Sequence, residues 1–157
     1  MIKYVKGDLF FAVKDLDNFV IPHVVNTKGA WGAGFVIPLG NNFPEAKNRY
    51  LNVFNGQESE IEEKDLLGKT SFVVLDKKEK SFVANMFAQT LGGQRPLFYN
   101  HLSKCMDEVA KVAKHDSLEI HAPAFGSNLA GGDWNFIEQL IIDCWIKESI
   151  DVTIYYL

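Results

Sequence analysis

The chain has 157 residues, of which 47% are hydrophobic and 23% charged, with a formal net charge of −4. That is enough for one domain with a real core, and the balance is that of an ordinary globular protein, not a disordered or fibrous one. The negative charge and the presence of only two arginines, Arg49 and Arg95, disfavour a general surface for tracking nucleic-acid phosphates.

No apolar run approaches the ~20 residues that span a bilayer. MIKYVKGDLF lacks the layout of a secretory signal, so no membrane partner and a cytoplasmic location are expected, with a single domain over 1–157 acting as a monomer. In chain order, Ile2 to Val5 alternate as a short strand ended by Gly7-Asp8. A second strand is expected from about Asn18 to Val25, and NTKGAWGAGFVIP (26–38) puts a glycine-rich loop between it and a further apolar stretch. FPEAKNRYLNVF (43–54) has Pro44 in a first turn, then Ala46, Tyr50, Leu51 and Phe54 at helical spacing. The acidic segment 55–65 reads as a solvated connector.

TSFVVLD (70–76) and SFVANMFA (81–88) flank a charged turn and read as a hairpin. From Leu97 to Lys114, apolar residues including Leu102, Cys105, Met106 and Val109 fall on one helical stripe. LEIHAPAF (118–125) is a buried strand that runs into a second glycine-rich loop, GSNLAGG (126–132). Asp133 caps a following helix, and DVTIYYL is a last strand. Strands interleaved with helices give an α/β fold, a central mixed sheet of about six strands with helices on both faces. Cys105 and Cys144, far apart and without neighbouring ligand residues, read as core thiols, and no metal or other cofactor is implied.

Each glycine loop follows a strand, where an open α/β sheet places its ligand crevice. Glycines admit positive φ and remove the Cβ atoms that keep a ligand from the backbone, so several N–H groups can converge on one anion. A helix beginning at Asp133 would add its positive end. Charge-assisted backbone hydrogen bonds are worth roughly 1.5–3 kcal/mol each, so about four would account for micromolar binding, roughly 8 kcal/mol. The structural alternative is a pair of tight turns. A dinucleotide motif does not fit, because Ile37 stands where a third small residue belongs and no acidic residue ends a following strand ~20 positions on.

YVKGDLF, HVVNTKGAWGAGFVIPLGNNFPEAKNRY and APAFGSNLAGGDW together resemble the macrodomain family, which binds ADP-ribose; the resemblance spans nearly the whole chain. It is nearest the branch that contains yeast ADP-ribose-1″-phosphate phosphatase and terminal ADP-ribose protein glycohydrolase. The resemblance implies a three-layer α/β/α fold and ADP-ribose or an ADP-ribosylated substrate as partner. It implies that Asp8 accepts from the adenine amino group with the Leu9 backbone beside it, and that Asn26 faces the distal ribose. Gly32, Ala33, Gly34 and Phe35 would form a first phosphate loop, and Gly126, Ser127, Asn128, Leu129 and Ala130 a second.

Trp31 would wall the distal ribose or pack onto the sheet. Gln89 and Arg95 would close over the distal ribose or a terminal phosphate, with a surface placement the alternative for Arg95. His23 stands where phosphatase-like members carry a histidine, and its ordinary pKa of about 6.5 would suit an acid, base or nucleophile; a buried strand histidine bonded to a carbonyl is the alternative. Where the glycohydrolase branch uses a lysine and an aspartate, this chain has Gln89 and Ala130, so a Schiff-base route has no amine. Asn128 replaces a glycine and tolerates the same left-handed backbone. The activity implied is removal of the terminal phosphate of ADP-ribose-1″-phosphate or hydrolysis of a related derivative. The alternatives are a non-catalytic reader of mono-ADP-ribosylated protein or nucleic acid and a mono-ADP-ribosyl hydrolase.

Overall fold

A computed structural model describes residues 1–55 and 61–157. In chain order the elements are β1 (Ile2–Lys6), α1 (Leu9–Ala12), β2 (Phe19–Asn26), α2 (Val36–Asn42), α3 (Pro44–Phe54), α4 (Glu63–Leu66), β3 (Thr70–Val74), β4 (Phe82–Gln89), α5 (Tyr99–Asp116), β5 (Glu119–Pro123), α6 (Trp134–Cys144) and β6 (Val152–Tyr156). The strands form one six-stranded sheet in the order β1-β6-β5-β2-β4-β3. All neighbours are parallel except β3, which runs antiparallel to β4, the expected hairpin. β2 and β4 are both interior strands, and their near-continuous apolar sequences, FVIPHVVN and FVANMFAQ, are buried along almost their whole lengths, as a strand covered on both faces requires.

Two cores make the three layers. On one face Leu102, Met106 and Val109 of α5 meet Ile137 and Ile141 of α6 over Val20, Met86 and Ile120. On the other, Leu39 of α2 and Ala46 and Tyr50 of α3 cover Ile21, Val25, Val83 and Phe87. α1, α2 and α4 have no counterpart among the helices read from sequence, since each is too short for the 3.6-residue period to declare itself. The expected connector 55–65 therefore holds one helical turn, Glu63–Leu66, while its residues 56–60 lie outside the described ones. Leu97, assigned to the α5 stripe, precedes the helix in extended conformation and bridges to Gln89. Cys105 and Cys144 are buried and unpaired, and burial pushes their thiols up to about 11 and about 12.

One detail of the ladder opens the site. β2 and β5 pair only at their beginnings, Phe19 with Glu119 and Val20 with Ile120. Pro22 has no N–H to carry that ladder forward, so the two strands separate just where the glycine loops begin. β4 bulges against the end of β2, with Val25 opposite Phe87 but Asn26 opposite Gln89. The extra residue, Ala88, re-aims Gln89.

Candidate binding cleft

A cleft of about 1010 Å³ lies across the carboxyl ends of β1, β2, β4, β5 and β6. Its floor includes Val24, Val25, Pro123 and Ala124, from the separated ends of β2 and β5. Asp8 and Leu9, Asn26, Gly32 to Phe35, Gln89 and Gly126 to Ala130 all line it, as does His23. No lysine or arginine does, among the described residues.

The first loop is held from beneath by Asn26. Its Oδ1 accepts from the backbone N–H of Lys28 (3.0 Å) and Ala30 (3.2 Å) and from the Tyr50 hydroxyl (2.8 Å), while its Nδ2 donates to the Ala30 carbonyl at 2.8 Å. The amide expected to face a ribose is thus largely consumed in shaping the loop, an arrangement for which Asn is suited because it both donates and accepts. Tyr50 on α3 is the partner that sequence reading missed. Its hydroxyl also donates to the Asn26 carbonyl at 2.8 Å, and burial raises its pKa.

Trp31 does not line the cleft. It is 8% exposed and packs on the sheet, edge-on to His23 with centroids 5.7 Å apart and tilted against Tyr50 at 5.2 Å. Gly40 leaves room for the indole, since a Cβ there would lie 3.0 Å from Trp31 Nε1. Packing, the alternative to walling a ribose, is the arrangement found.

The second loop is closed by its own glycines. Gly132 N donates to the Gly126 carbonyl at 2.9 Å, and Leu97 N donates to the Ala130 carbonyl at 3.2 Å. Gly131 sits at φ +74°, where a Cβ would meet the Gln94 carbonyl oxygen at 2.3 Å. Asn128 adopts φ +56°, the left-handed conformation expected of it. The amino end of α6 does not reach the cleft: Asp133 caps it by accepting from Asn135 N at 2.9 Å, and neither Asp133 nor Trp134 is a lining residue.

What the two loops share is unused donors. Among the described residues, no backbone or side-chain oxygen accepts from the N–H groups of Gly32, Ala33, Gly34, Phe35 and Val36, nor from those of Gly126, Ser127, Asn128 and Leu129. Gly32, Ala33, Gly34, Asn128 and Leu129 are exposed and Phe35, Val36 and Ser127 half-buried, so these donors are open to whatever fills the cleft. A row of free ones on both walls of a cleft without cationic side chains is a site for an elongated anion. Leu129 links the walls at the rim: a Cβ on Gly34 would lie 3.7 Å from its Cδ1.

For two other candidates the arrangement found is close to the alternative: His23 is a buried strand histidine, bonded to a side chain and not to a carbonyl, and Arg95 is on the surface. His23 is 2% exposed, tilted against Phe35 with centroids 5.7 Å apart, and its Nε2 lies 2.5 Å from Asn85 Oδ1. Asn85 Nδ2 donates to the Ala46 carbonyl at 3.3 Å, which leaves Oδ1 as the acceptor; His23 Nε2 therefore carries the proton and Nδ1 the lone pair. Burial lowers the pKa to about 4, so the ring is neutral at pH 7, and its one proton, on Nε2, is engaged by Asn85 and far too weakly acidic to serve as a general acid. Arg95 points away from the cleft, its guanidinium 4.7 Å from the centroid of the Tyr99 ring. Its backbone is pinned under Gly131, where the missing Cβ would meet Arg95 Cα at 2.9 Å.

Asp8 caps α1, accepting from Phe10 N at 2.9 Å through Oδ1, and lines the cleft beside Tyr155 and Tyr156 of β6. The β6 end was missed because nothing in DVTIYYL distinguishes a strand that ends at a site from one that does not. Leu91, Gly92 and Gly93 were missed although they carried a signal: a third group of glycines shortly after a strand. Among the described residues, no group of three or more His, Cys, Asp or Glu side chains could hold a metal ion, and no helix is long and apolar enough to cross a membrane.

No protein-family model matches the chain. An ADP-ribose 1″-phosphate phosphatase of Candida albicans is 27% identical over 151 residues, covering 90% of this chain and 92% of the relative. A structure of a protein of unknown function from Bacteroides thetaiotaomicron superposes with a TM-score of 0.85 at 33% identity, covering 100% of this chain and 98% of that one. A macrodomain protein from Streptomyces coelicolor gives 0.78 at 29%, covering 100% and 99%.

Proposed function

We propose that this chain, which belongs to the macrodomain family, binds ADP-ribose across its glycine-walled cleft and hydrolyses the terminal phosphate of ADP-ribose-1″-phosphate or a close derivative. The observation that carries the reading is the pair of facing loops whose amides have no partner inside the protein. A diphosphate offers phosphoryl oxygens to both loops at once. Asp8 at the β1 end would accept from the adenine amino group, and the distal ribose would extend toward Gln89 at the β4 end. Support for turnover comes from the Candida albicans relative, named as a phosphatase of that compound.

In the reaction, water attacks the terminal phosphorus and the bond from phosphorus to the ribose 1″ oxygen breaks, releasing inorganic phosphate. The chain contributes positioning and amide donors that offset charge on the phosphoryl oxygens. With the ring neutral, any part His23 takes is that of a weak base or nucleophile through Nδ1. Calorimetric titration with ADP-ribose should give micromolar affinity, and incubation with ADP-ribose-1″-phosphate should release phosphate above buffer. No binding would remove the whole reading, while binding without release would remove only the phosphatase half.

The second reading is a non-catalytic reader of ADP-ribosylated molecules. It is favoured by the neutral, buried His23 and by Gln89 and Ala130 in place of a lysine and an aspartate. Tight ADP-ribose binding with no product from phosphorylated or protein-linked derivatives would select it.

A further inference from the structure

The strongest polar construction outside the cleft stands at its β4 end. Thr27 directly follows β2 and Thr90 directly follows β4. The Thr27 hydroxyl donates to Glu63 Oε1 at 2.6 Å, and the Thr90 hydroxyl donates to the same oxygen. Glu63 begins α4 and is not a lining residue, and the Lys28 ammonium lies 3.6 Å from that oxygen. These hydroxyl donors hold the carboxyl below the usual range for glutamate. One oxygen thus ties together the roots of two loops that line the cleft, 28–35 and 91–96. The backbone reinforces the joint: Thr27 N donates to the Gln89 carbonyl at 3.1 Å and Thr90 N to the Pro96 carbonyl at 3.0 Å.

The loop rooted at Thr90 carries Leu91, Gly92 and Gly93 into the cleft. Both glycines adopt left-handed backbone, at φ +87° and +84°, and no protein atom lies within 4 Å of where either Cβ would be. The far side of the loop is held where Gln94 and Arg95 lie against Gly131, so the position of the unpacked Leu91–Gly93 side depends on the anchor at Thr90. In the sheet order β4 lies near the opposite edge from β1, which carries Asp8. The Glu63 joint therefore serves the end of the cleft remote from Asp8.

We propose that Glu63 is a positioning residue: by clamping Thr27 and Thr90 it sets the end of the cleft that receives the distal ribose and its substituent, and so makes the site select ADP-ribose over the shorter ADP. The inference rests on the ADP-ribose reading above. Charged hydrogen bonds of this kind typically carry enough energy for the loss of the clamp to weaken ADP-ribose binding about tenfold.

The test is calorimetry with ADP-ribose and with ADP, which has the adenosine and diphosphate but no distal ribose. Glu63→Ala should lose about tenfold for ADP-ribose and nothing for ADP. Glu63→Gln, which keeps an oxygen able to accept from both hydroxyls, should retain most of the preference, and Thr90→Val should mimic the alanine variant. Unchanged ADP-ribose affinity in Glu63→Ala and Thr90→Val, or equal weakening toward both nucleotides, would overturn the clamp while leaving the ADP-ribose reading intact. A wild-type chain that binds neither compound would overturn both.

Discussion

The two glycine loops look alike in sequence and differ in why they need glycine. In the second loop the protein itself demands it. A Cβ on Gly131 would strike the Gln94 carbonyl at 2.3 Å, one on Gly132 the Gly126 carbonyl at 2.3 Å, and one on Gly126 the Ile137 side chain at 2.9 Å. In the first loop Gly29, which lies off the cleft, packs on Phe54 at 3.3 Å, but of the cleft-lining glycines a Cβ on Gly32 would meet nothing within 4 Å and one on Gly34, at φ +81°, only Leu129 at 3.7 Å. The space in front of those residues is the cleft. Similar composition thus serves packing on one wall and access on the other, and substitutions should separate the two.

The largest effect is expected on the packed wall. Gly131→Ala adds left-handed strain to a backbone collision and should cost about 4 kcal/mol of stability, read as a drop in the urea midpoint. A loss below about 1 kcal/mol would mean that the wall yields. Next comes the floor of the access wall, where His23 sits beneath Phe35. Its folded pKa, about 4, lies below the unfolded value of 6.5, so the unfolded chain takes up the proton first. The stabilisation is complete above pH 6.5 and is lost as pH falls toward 4, amounting to about 3 kcal/mol. His23→Gln should lack that loss; parallel pH profiles of stability for the two proteins would refute it.

On the access wall itself, Gly32→Glu should leave the unfolding free energy in urea within about 0.5 kcal/mol of wild type, because it projects into open space. A carboxylate beside the diphosphate should nevertheless weaken ADP-ribose about 100-fold. Destabilisation without an affinity change would reverse the assignment of the two walls. The smallest effect belongs to Asn128→Ala, which keeps the chain but not the side chain that tolerates φ +56° and should cost about 1 kcal/mol.

Much of the sheet was legible because buried parallel strands read as apolar runs and α3, α5 and α6 are long enough to show their period. The loops Gly32 to Phe35 and Gly126 to Ala130 were singled out because glycines after strand ends announce backbone freedom, whereas Asp8 was named by the resemblance to the macrodomain family. What could not be read is the use to which that freedom is put, which depends on partners distant in sequence. Gly131 answers to Gln94, Asn26 to Tyr50, and Thr27 and Thr90 to Glu63. Trp31 and Arg95 have side chains equally fit for a ligand or for an aromatic neighbour, and the neighbours Tyr50 and Tyr99 come from other segments. The short helices and the β4 bulge that re-aims Gln89 leave no periodic trace.

The central claim is that the unpartnered amides of residues 32–36 and 126–129 grip a diphosphate. Residue-resolved hydrogen exchange, with and without saturating ADP-ribose, addresses it directly. These amides should exchange quickly in the free protein and gain protection together when the nucleotide binds. Saturation by ADP-ribose with both sets still exchanging at their unliganded rates would contradict the account.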